Sequence, residues 1–198
     1  MKSFDFCIVG NIFLDTVQAT NSFQVGVSNL GLSTKTDLGG VMNTARGLCE
    51  IDKKYKVFVS TVVGNDKQGS DVIERLQEYK NKNPNFDYHI ARAEIPTTNA
   101  FIICETEEQR RSSIVNWGAC KISSDFILPK SKWYHFMYLD TLLGVDKKMF
   151  TQIPETSIIS ADFCLAAHSS AERKRIMNLV RNMNFVITSD DSATSVTG

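Results

Sequence analysis

Short apolar runs alternate with segments of helical periodicity at both ends of this 198-residue chain. Residues 6–10 and 57–63 are almost continuously apolar, which is typical of strands that are buried on both faces of a parallel sheet. Residues 43–51 and 68–79 each place apolar side chains on one side of a helix. The alternation of strand and helix predicts a doubly wound α/β layer.

The last third of the chain returns to the same alternation. Residues 133–139 and 157–161 are apolar runs, residues 171–183 have a helical period, and residues 185–188 have the composition of a final strand. We therefore expect these elements to extend the same parallel sheet.

The middle of the chain has a different pattern. Residues 16–38 mix apolar and polar side chains in loose alternation, which predicts short exposed strands or loops. Residues 99–105 and 111–117 flank a polar run and predict a β-hairpin. Because a hairpin has no crossover helix, we expect lid segments of about 16–38 and 87–117 to form a separate small sheet on a single, incomplete α/β domain of residues 1–198.

Charge and hydropathy narrow the range of partners. The 22 basic residues balance the 22 acidic ones, so no net positive field attracts a nucleic acid or an anionic membrane. The first apolar run is too short to span a bilayer and lacks the features of a secretory signal. These features predict a cytoplasmic protein that binds neither nucleic acid nor membrane.

Polar residues that could bind a ligand follow the predicted strands. Asn11 and Asp15 come after the first strand, at the sheet edge where ligands of open α/β sheets bind, and could hydrogen-bond to sugar hydroxyls. From position alone, Asp15 could equally cap a turn. Gly39 and Gly40 precede Asn43 at a predicted helix start, which fits a binding loop or a plain turn with a helix cap.

The order of these pieces resembles the ribokinase/PfkB family of carbohydrate and nucleoside kinases. Gly-Asn-x-x-x-Asp at residues 10–15 looks like the opening of adenosine-kinase-like members, whose aspartate binds sugar hydroxyls. Gly-Gly-x-x-Asn at residues 39–43 resembles the family's first signature, whose asparagine also contacts the sugar. Residues 63–69 read Val-Gly-x-Asp-x-x-Gly and resemble the family's turn before the next helix. Residues 96–98 with Arg110 or Arg111, followed by residues 116–119, look like the lid strands and the return into the sheet.

This resemblance implies a three-layer α/β/α fold with a mostly parallel sheet and a small β-sheet lid. It implies phosphorylation of a hydroxyl on a sugar, sugar phosphate or nucleoside, with ATP and Mg²⁺ as cofactors of the complete family member. Exposed lid strands would also offer an edge through which a homodimer could form. The residues that would hold or cover the acceptor are Asn11, Asp15, Gly39, Gly40, Asn43, Phe101 and Ile114.

Three features depart from the family pattern. Val41 stands where the first signature usually has Gly, Ala or Pro. Residues 188–192 fall where the family shows Asn-x-x-Glu, a motif associated with magnesium and phosphate. Asp190 and Asp191 are weak metal candidates there, since adjacent aspartates after a strand more often cap a helix. The Gly-Ala-Gly-Asp signature, which supplies the family's catalytic aspartate, is not found between Met1 and Gly198.

We therefore expect the chain to lack the C-terminal nucleotide-binding part, to contain no catalytic residue and to be inactive alone. The alternative is a non-catalytic sugar-binding or regulatory protein derived from such a kinase. A nicotinamide-binding oxidoreductase is disfavoured because no Gly-x-Gly-x-x-Gly follows the first strand. Trp117 and Trp133 could stack on a sugar or base, but we expect both to pack in the core or lid.

Overall fold

The chain folds into two sheets and four α-helices over the described residues. The computed structural model describes residues 3–121, 125–164, 169–190 and 193–194. The strands are β1 (Phe4–Gly10), β2 (Ile12–Thr20), β3 (Gly31–Gly40), β4 (Val57–Gly64), β5 (Phe86–Ala93), β6 (Asn99–Glu105), β7 (Arg111–Asn116), β8 (Ser131–Met137), β9 (Ile158–Asp162) and β10 (Phe185–Ile187). The helices are α1 (Val41–Ile51), α2 (Lys67–Lys82), α3 (Lys147–Phe150) and α4 (Ser170–Val180).

The main sheet has six strands in the order β10-β9-β8-β1-β4-β5, and all neighbouring strands are parallel. Every residue of β4 is buried, as expected for a central strand with helices on both faces. One core cluster holds Ile8 with apolar residues of α1 and α2, while the other holds Cys7 and Val9 with apolar residues of α3 and α4. This confirms the predicted α/β/α layering.

The small sheet has four strands in the order β3-β2-β6-β7. β2 pairs antiparallel with β3 and parallel with β6, and β6 pairs antiparallel with β7 as the predicted hairpin. β2 begins two residues after the end of β1, so the small sheet projects from the carboxyl edge of the main sheet. Strands β2 and β3 and the hairpin of β6 and β7 thus form one sheet.

The expected start of the second lid segment at residue 87 is wrong. β5 lies at the edge of the main sheet and pairs in parallel with β4 from Phe86 to Ala93. The reason is the crossover through α2, since a helix between two apolar strands returns the second strand alongside the first. The chain therefore enters the small sheet only after β5.

Asp66 fixes the point where the chain turns from the main sheet towards the small one. Its carboxylate accepts hydrogen bonds from the Gly69 amide at 2.7 Å, the Thr97 amide at 2.8 Å and the Thr97 hydroxyl at 2.6 Å. Partial burial raises the pKa of Asp66, but the hydrogen bonds from Thr97 and Gly69 lower it by more. The Val-Gly-x-Asp-x-x-Gly motif is thus a helix cap that also anchors the entry to β6.

No helix in the described part of the chain is both long enough and apolar enough to cross a membrane.

Candidate functional site

A pocket of about 270 Å³ lies between the small sheet, the start of α1 and the segments that follow β8 and β9. This is the carboxyl edge of the main sheet, where ligands of open α/β sheets bind. The lining residues are Phe13, Asp15, Gly40, Asn43, Ala100, Ile102, Arg111, Ser113, Val115, Trp117, Tyr138 and Cys164.

Asp15 supplies the only carboxylate among the described lining residues. Burial raises its pKa, the positive charge of Arg111 lowers it and the negative charge of Asp37 raises it, with a net upward shift. Among the described residues, no donor hydrogen-bonds to this carboxylate. Its oxygens are therefore free to accept hydrogen bonds from a ligand in a partly desolvated position.

The two glycines before α1 make room for different neighbours. A Cβ atom on Gly39 would collide with the Asp15 carboxylate, lying 2.7 Å from its Cγ. A Cβ atom on Gly40 would collide with the Asn11 carbonyl oxygen and lie 2.6 Å from a Phe13 ring carbon. Gly40 also has φ 61°, which favours glycine. The absence of a side chain at Gly39 thus leaves space for the Asp15 carboxylate, and glycine at position 40 allows the backbone turn before α1.

Alanine substitutions should separate these two roles. We expect Gly39→Ala to turn the Asp15 carboxylate away and to weaken the binding of a ligand held by this carboxylate roughly 10- to 150-fold, the worth of one charge-assisted hydrogen bond. Gly40→Ala should instead lower the free energy of unfolding by roughly 1–3 kcal/mol through backbone strain.

Calorimetric binding and urea unfolding measure the two effects separately. Gly47→Ala is the matched control, because Gly47 lies in α1 and a Cβ atom added there would have no neighbour within 4 Å. It should leave binding unchanged and stabilise the helix slightly. Wild-type affinity in Gly39→Ala would contradict the role assigned to this glycine.

Asn43 lies in the first turn of α1 and is exposed towards the pocket, as the sequence predicted. Asn11 does not line it. Its side chain is fully buried, donates to the Thr141 hydroxyl at 2.9 Å and accepts from the Thr98 hydroxyl at 3.4 Å. The structure therefore places Asn11 behind the pocket wall, where it ties three segments together.

Phe101 and Ile114 lie on the face of the small sheet that points away from the pocket. They are paired across β6 and β7 and are 42% and 73% exposed. Ala100, Ile102 and Val115 line the pocket instead, because successive side chains of a strand point to opposite faces. The expectation that Phe101 or Ile114 covers an acceptor is wrong, because the side chains that face the pocket belong to the adjacent residues of each strand.

Three aromatic rings form one wall of the pocket. Phe13 lies 5.4 Å from Trp117 and 5.7 Å from Tyr138 between ring centroids, and Trp117 lies 6.2 Å from Tyr138, all edge to face. Tyr138 has a left-handed backbone (φ 56°), and its amide donates to the Asp162 carboxylate. Burial, with the nearby charge of Asp162, raises the pKa of Tyr138 to about 12, so its hydroxyl stays protonated at neutral pH.

Trp133 packs against Phe6 and Phe185 and does not line this pocket. Cys164 also lines the pocket. Burial and the neighbouring charges of Asp140 and Asp162 raise the pKa of this thiol. Cys164 is therefore a neutral wall residue and not an activated nucleophile.

Asp190, one of the two metal candidates, does not line this pocket. Asp190 is exposed after β10, and Asp191 lies outside the described residues. Within the described ranges, no three His, Cys, Asp or Glu side chains cluster so as to hold a metal ion.

Comparison with known proteins gives a match at the level of structure. No family model matches the sequence. No curated protein matches it either. The ribokinase of Giardia lamblia superposes on 100% of this chain with a TM-score of 0.74 at 15% sequence identity, over 60% of its own length. The chain has a ribokinase-like fold.

The same fold is found in other solved kinases. The nucleoside kinase of Methanocaldococcus jannaschii superposes on 100% of this chain with a TM-score of 0.66 at 17% sequence identity. The ribokinase of Arabidopsis thaliana, in complex with ribose and ATP, matches 100% of it with a TM-score of 0.63 at 14% identity. This chain spans 64% of the length of each of these two proteins and 60% of the Giardia ribokinase.

Proposed function

We propose that this chain is the acceptor-binding part of a kinase that uses ATP to phosphorylate a hydroxyl of a sugar, sugar phosphate or nucleoside. The observation that carries the proposal is the partly buried Asp15 carboxylate, which lines a pocket at the carboxyl edge of the sheet and has no hydrogen-bond donor among the described residues. Solved proteins of the same fold include ribokinases and a nucleoside kinase, and this supports the proposed substrate class.

In this proposal, each part of the pocket has a separate task. Asp15 accepts hydrogen bonds from acceptor hydroxyls, and the Asn43 amide can donate or accept one more. The rings of Phe13, Trp117 and Tyr138 exclude water and pack against the apolar face of the acceptor. Together they would bind and orient the acceptor, since positioning is the main contribution of protein to phosphoryl transfer. Bound ATP would supply the phosphoryl group.

A non-catalytic sugar-binding or regulatory protein is the second candidate. The sequence Thr-Ser-Asp-Asp-Ser at residues 188–192, in place of Asn-x-x-Glu, favours it. Both candidates use the same pocket and differ in whether the full-length protein transfers phosphate from ATP. A coupled assay on the full-length protein distinguishes them.

A binding panel tests the proposal. Calorimetry should be run with neutral pentoses and hexoses, their phosphates, sugar acids and nucleosides. We expect members of at least one of these classes to bind saturably and to compete with one another for the same site. Absence of binding by every member would refute both candidates.

We also propose that a second copy of this chain docks on the outer face of the small sheet. Phe101 and Ile114 on this face are 42% and 73% exposed, and Leu30, just before β3, is 80% exposed. Contact between these apolar side chains and water is unfavourable, and a second copy would remove it. We expect a dimer in light scattering that Ile114→Lys converts to a monomer. Ile51→Lys is the control, because Ile51 is 75% exposed on α1, outside the small sheet. A wild-type monomer at all concentrations would contradict this.

A further inference from the structure

Arg111 is the one cationic side chain among the described residues that line the pocket. It opens β7, pairs with Cys104 of β6, and therefore shares the inner face of the small sheet with Ala100 and Ile102. Its charge acts on Asp15 and opposes the upward shift of the Asp15 pKa. The guanidinium thus projects into the pocket.

The guanidinium of Arg111 has no hydrogen-bond or ion-pair partner in the part of the chain that the structure describes. The preceding residue has a contrasting environment, because Arg110 forms ion pairs with Glu105, at 3.5 Å, and with Glu108. A guanidinium has five N–H donors in a planar fork that matches a carboxylate or a phosphate. The donors of Arg110 are used within the protein, and those of Arg111 are available to a ligand.

The spacing along the small sheet separates Arg111 from the site of hydroxyl binding. Asp15 pairs with Ala100, and Arg111 pairs with Cys104, four residues further along β6. At roughly 3.3 Å per residue this is an offset of about 13 Å along the strand direction, and the arginine side chain spans part of it. Ile102 and Ser113 line the stretch between them. The lining of the pocket therefore has an anionic group at Asp15 and a cationic group at Arg111, offset from each other along the small sheet.

We propose that the acceptor carries an anionic group, a phosphate or a carboxylate, at the end remote from Asp15, and that Arg111 binds this group. The inference rests on the proposed function, since it assumes that the pocket binds a polyhydroxylated acceptor. It selects the sugar phosphates and sugar acids over neutral sugars and nucleosides. Arg111 is then a specificity-determining residue.

An arginine at the start of an edge strand has a second explanation, because charged side chains on an edge discourage pairing with another sheet. That role requires no ligand, and it predicts no difference in affinity between charged and neutral ligands. The two explanations therefore differ in what they predict for matched pairs of charged and neutral sugars.

Calorimetry with matched sugars tests the inference. The probes are a neutral hexose, its 6-phosphate and the corresponding uronic acid. We expect the wild-type chain to bind one of the two anions roughly 10- to 150-fold more tightly than the neutral hexose, the worth of a hydrogen bond to a charged group. The phosphate and carboxylate probes show which anion the site prefers.

Variants assign this preference to one side chain. Arg111→Gln should abolish the preference, so that the two anions and the neutral hexose bind this variant with similar affinity, while Arg111→Lys should keep part of the preference because a charge remains. Arg110→Gln is the matched control and should keep the preference. Thermal unfolding of each variant checks that it is folded.

Two outcomes would overturn the inference and leave the proposed function standing. The neutral hexose could bind as tightly as both anions, or Arg111→Gln could weaken all three sugars equally. If no member of the wider panel of pentoses, hexoses, their phosphates, sugar acids and nucleosides binds, the proposed function itself is wrong and the inference falls with it.

Discussion

The 198-residue chain is expected to show no detectable phosphate transfer from ATP to any sugar or nucleoside, even where it binds one. Phosphoryl transfer depends on positioned phosphates, a neutralising metal and an activated hydroxyl. Loss of a positioned base costs roughly 10²–10⁴-fold in rate, and loss of one donor to the developing charge costs roughly 10²–10³-fold. The family's Gly-x-Gly-Asp segment, which would supply the base and these donors, is not found between Met1 and Gly198.

Asp162 and Asp190 are poorly placed to act as the base of a phosphoryl transfer in this pocket. The Asp162 carboxylate accepts the Tyr138 amide and lies 3.7 Å from the His135 ring nitrogen, so it is engaged within the protein. Asp190 is exposed after β10 and does not line the pocket. Neither is placed to take a proton from an acceptor held by Asp15.

A coupled assay with ATP, Mg²⁺ and the acceptor panel measures this directly. A complete ribokinase assayed in parallel provides the positive control. Turnover of about 1 s⁻¹ or above, the ordinary range for kinases, would show that a residue of this chain has taken over the role of the base.

The sequence pattern predicts the central strands of the main sheet correctly, but it does not identify β5 as an edge strand of that sheet. β1 and β4 are apolar on both faces because helices cover both sides, and that pattern is readable without a structure. In β5 only Phe86 is fully buried, and the strand includes Asp87 and Arg92. An edge strand with one exposed side resembles a lid strand in sequence, and only the pairing with β4 distinguishes the two.

The candidate site was predicted in part for a similar reason. Asp15 and Asn43 follow recognisable turns and line the pocket as expected. On the hairpin, both faces of β6 carry apolar residues, so the sequence does not show which face is inward, and Phe101 was assigned to the wrong one. Tyr138 follows a distant strand of the main sheet, and only the parallel pairing of β8 with β1 brings it to the pocket.

Asp15→Ala is expected to weaken binding of a confirmed ligand by about 1.5–3 kcal/mol, or roughly 10- to 150-fold. The same change should not weaken the fold at neutral pH. Because burial raises the pKa of Asp15, the native state binds a proton more tightly than the unfolded chain does, and stability falls as pH rises from the unfolded value to the raised one. At pH values above the raised pKa, the buried charge of Asp15 lowers the free energy of unfolding, and Asp15→Ala removes this destabilisation.

This separation of binding from stability distinguishes a ligand-binding carboxylate from one that caps a turn. A capping aspartate stabilises the fold through hydrogen bonds to amides, as Asp66 does with Gly69 and Thr97. Asp66→Ala is thus the matched comparison, and it should lower the free energy of unfolding by at least about 1 kcal/mol.

The most direct measurement is a calorimetric titration of wild type and Asp15→Ala with the tightest ligand of the panel, alongside urea unfolding of both proteins. The account predicts saturable binding by the wild type, an affinity at least roughly tenfold lower in Asp15→Ala, and a free energy of unfolding that is unchanged or higher in the variant. Equal affinities for the two proteins would contradict the central claim that Asp15 holds a polyhydroxylated acceptor.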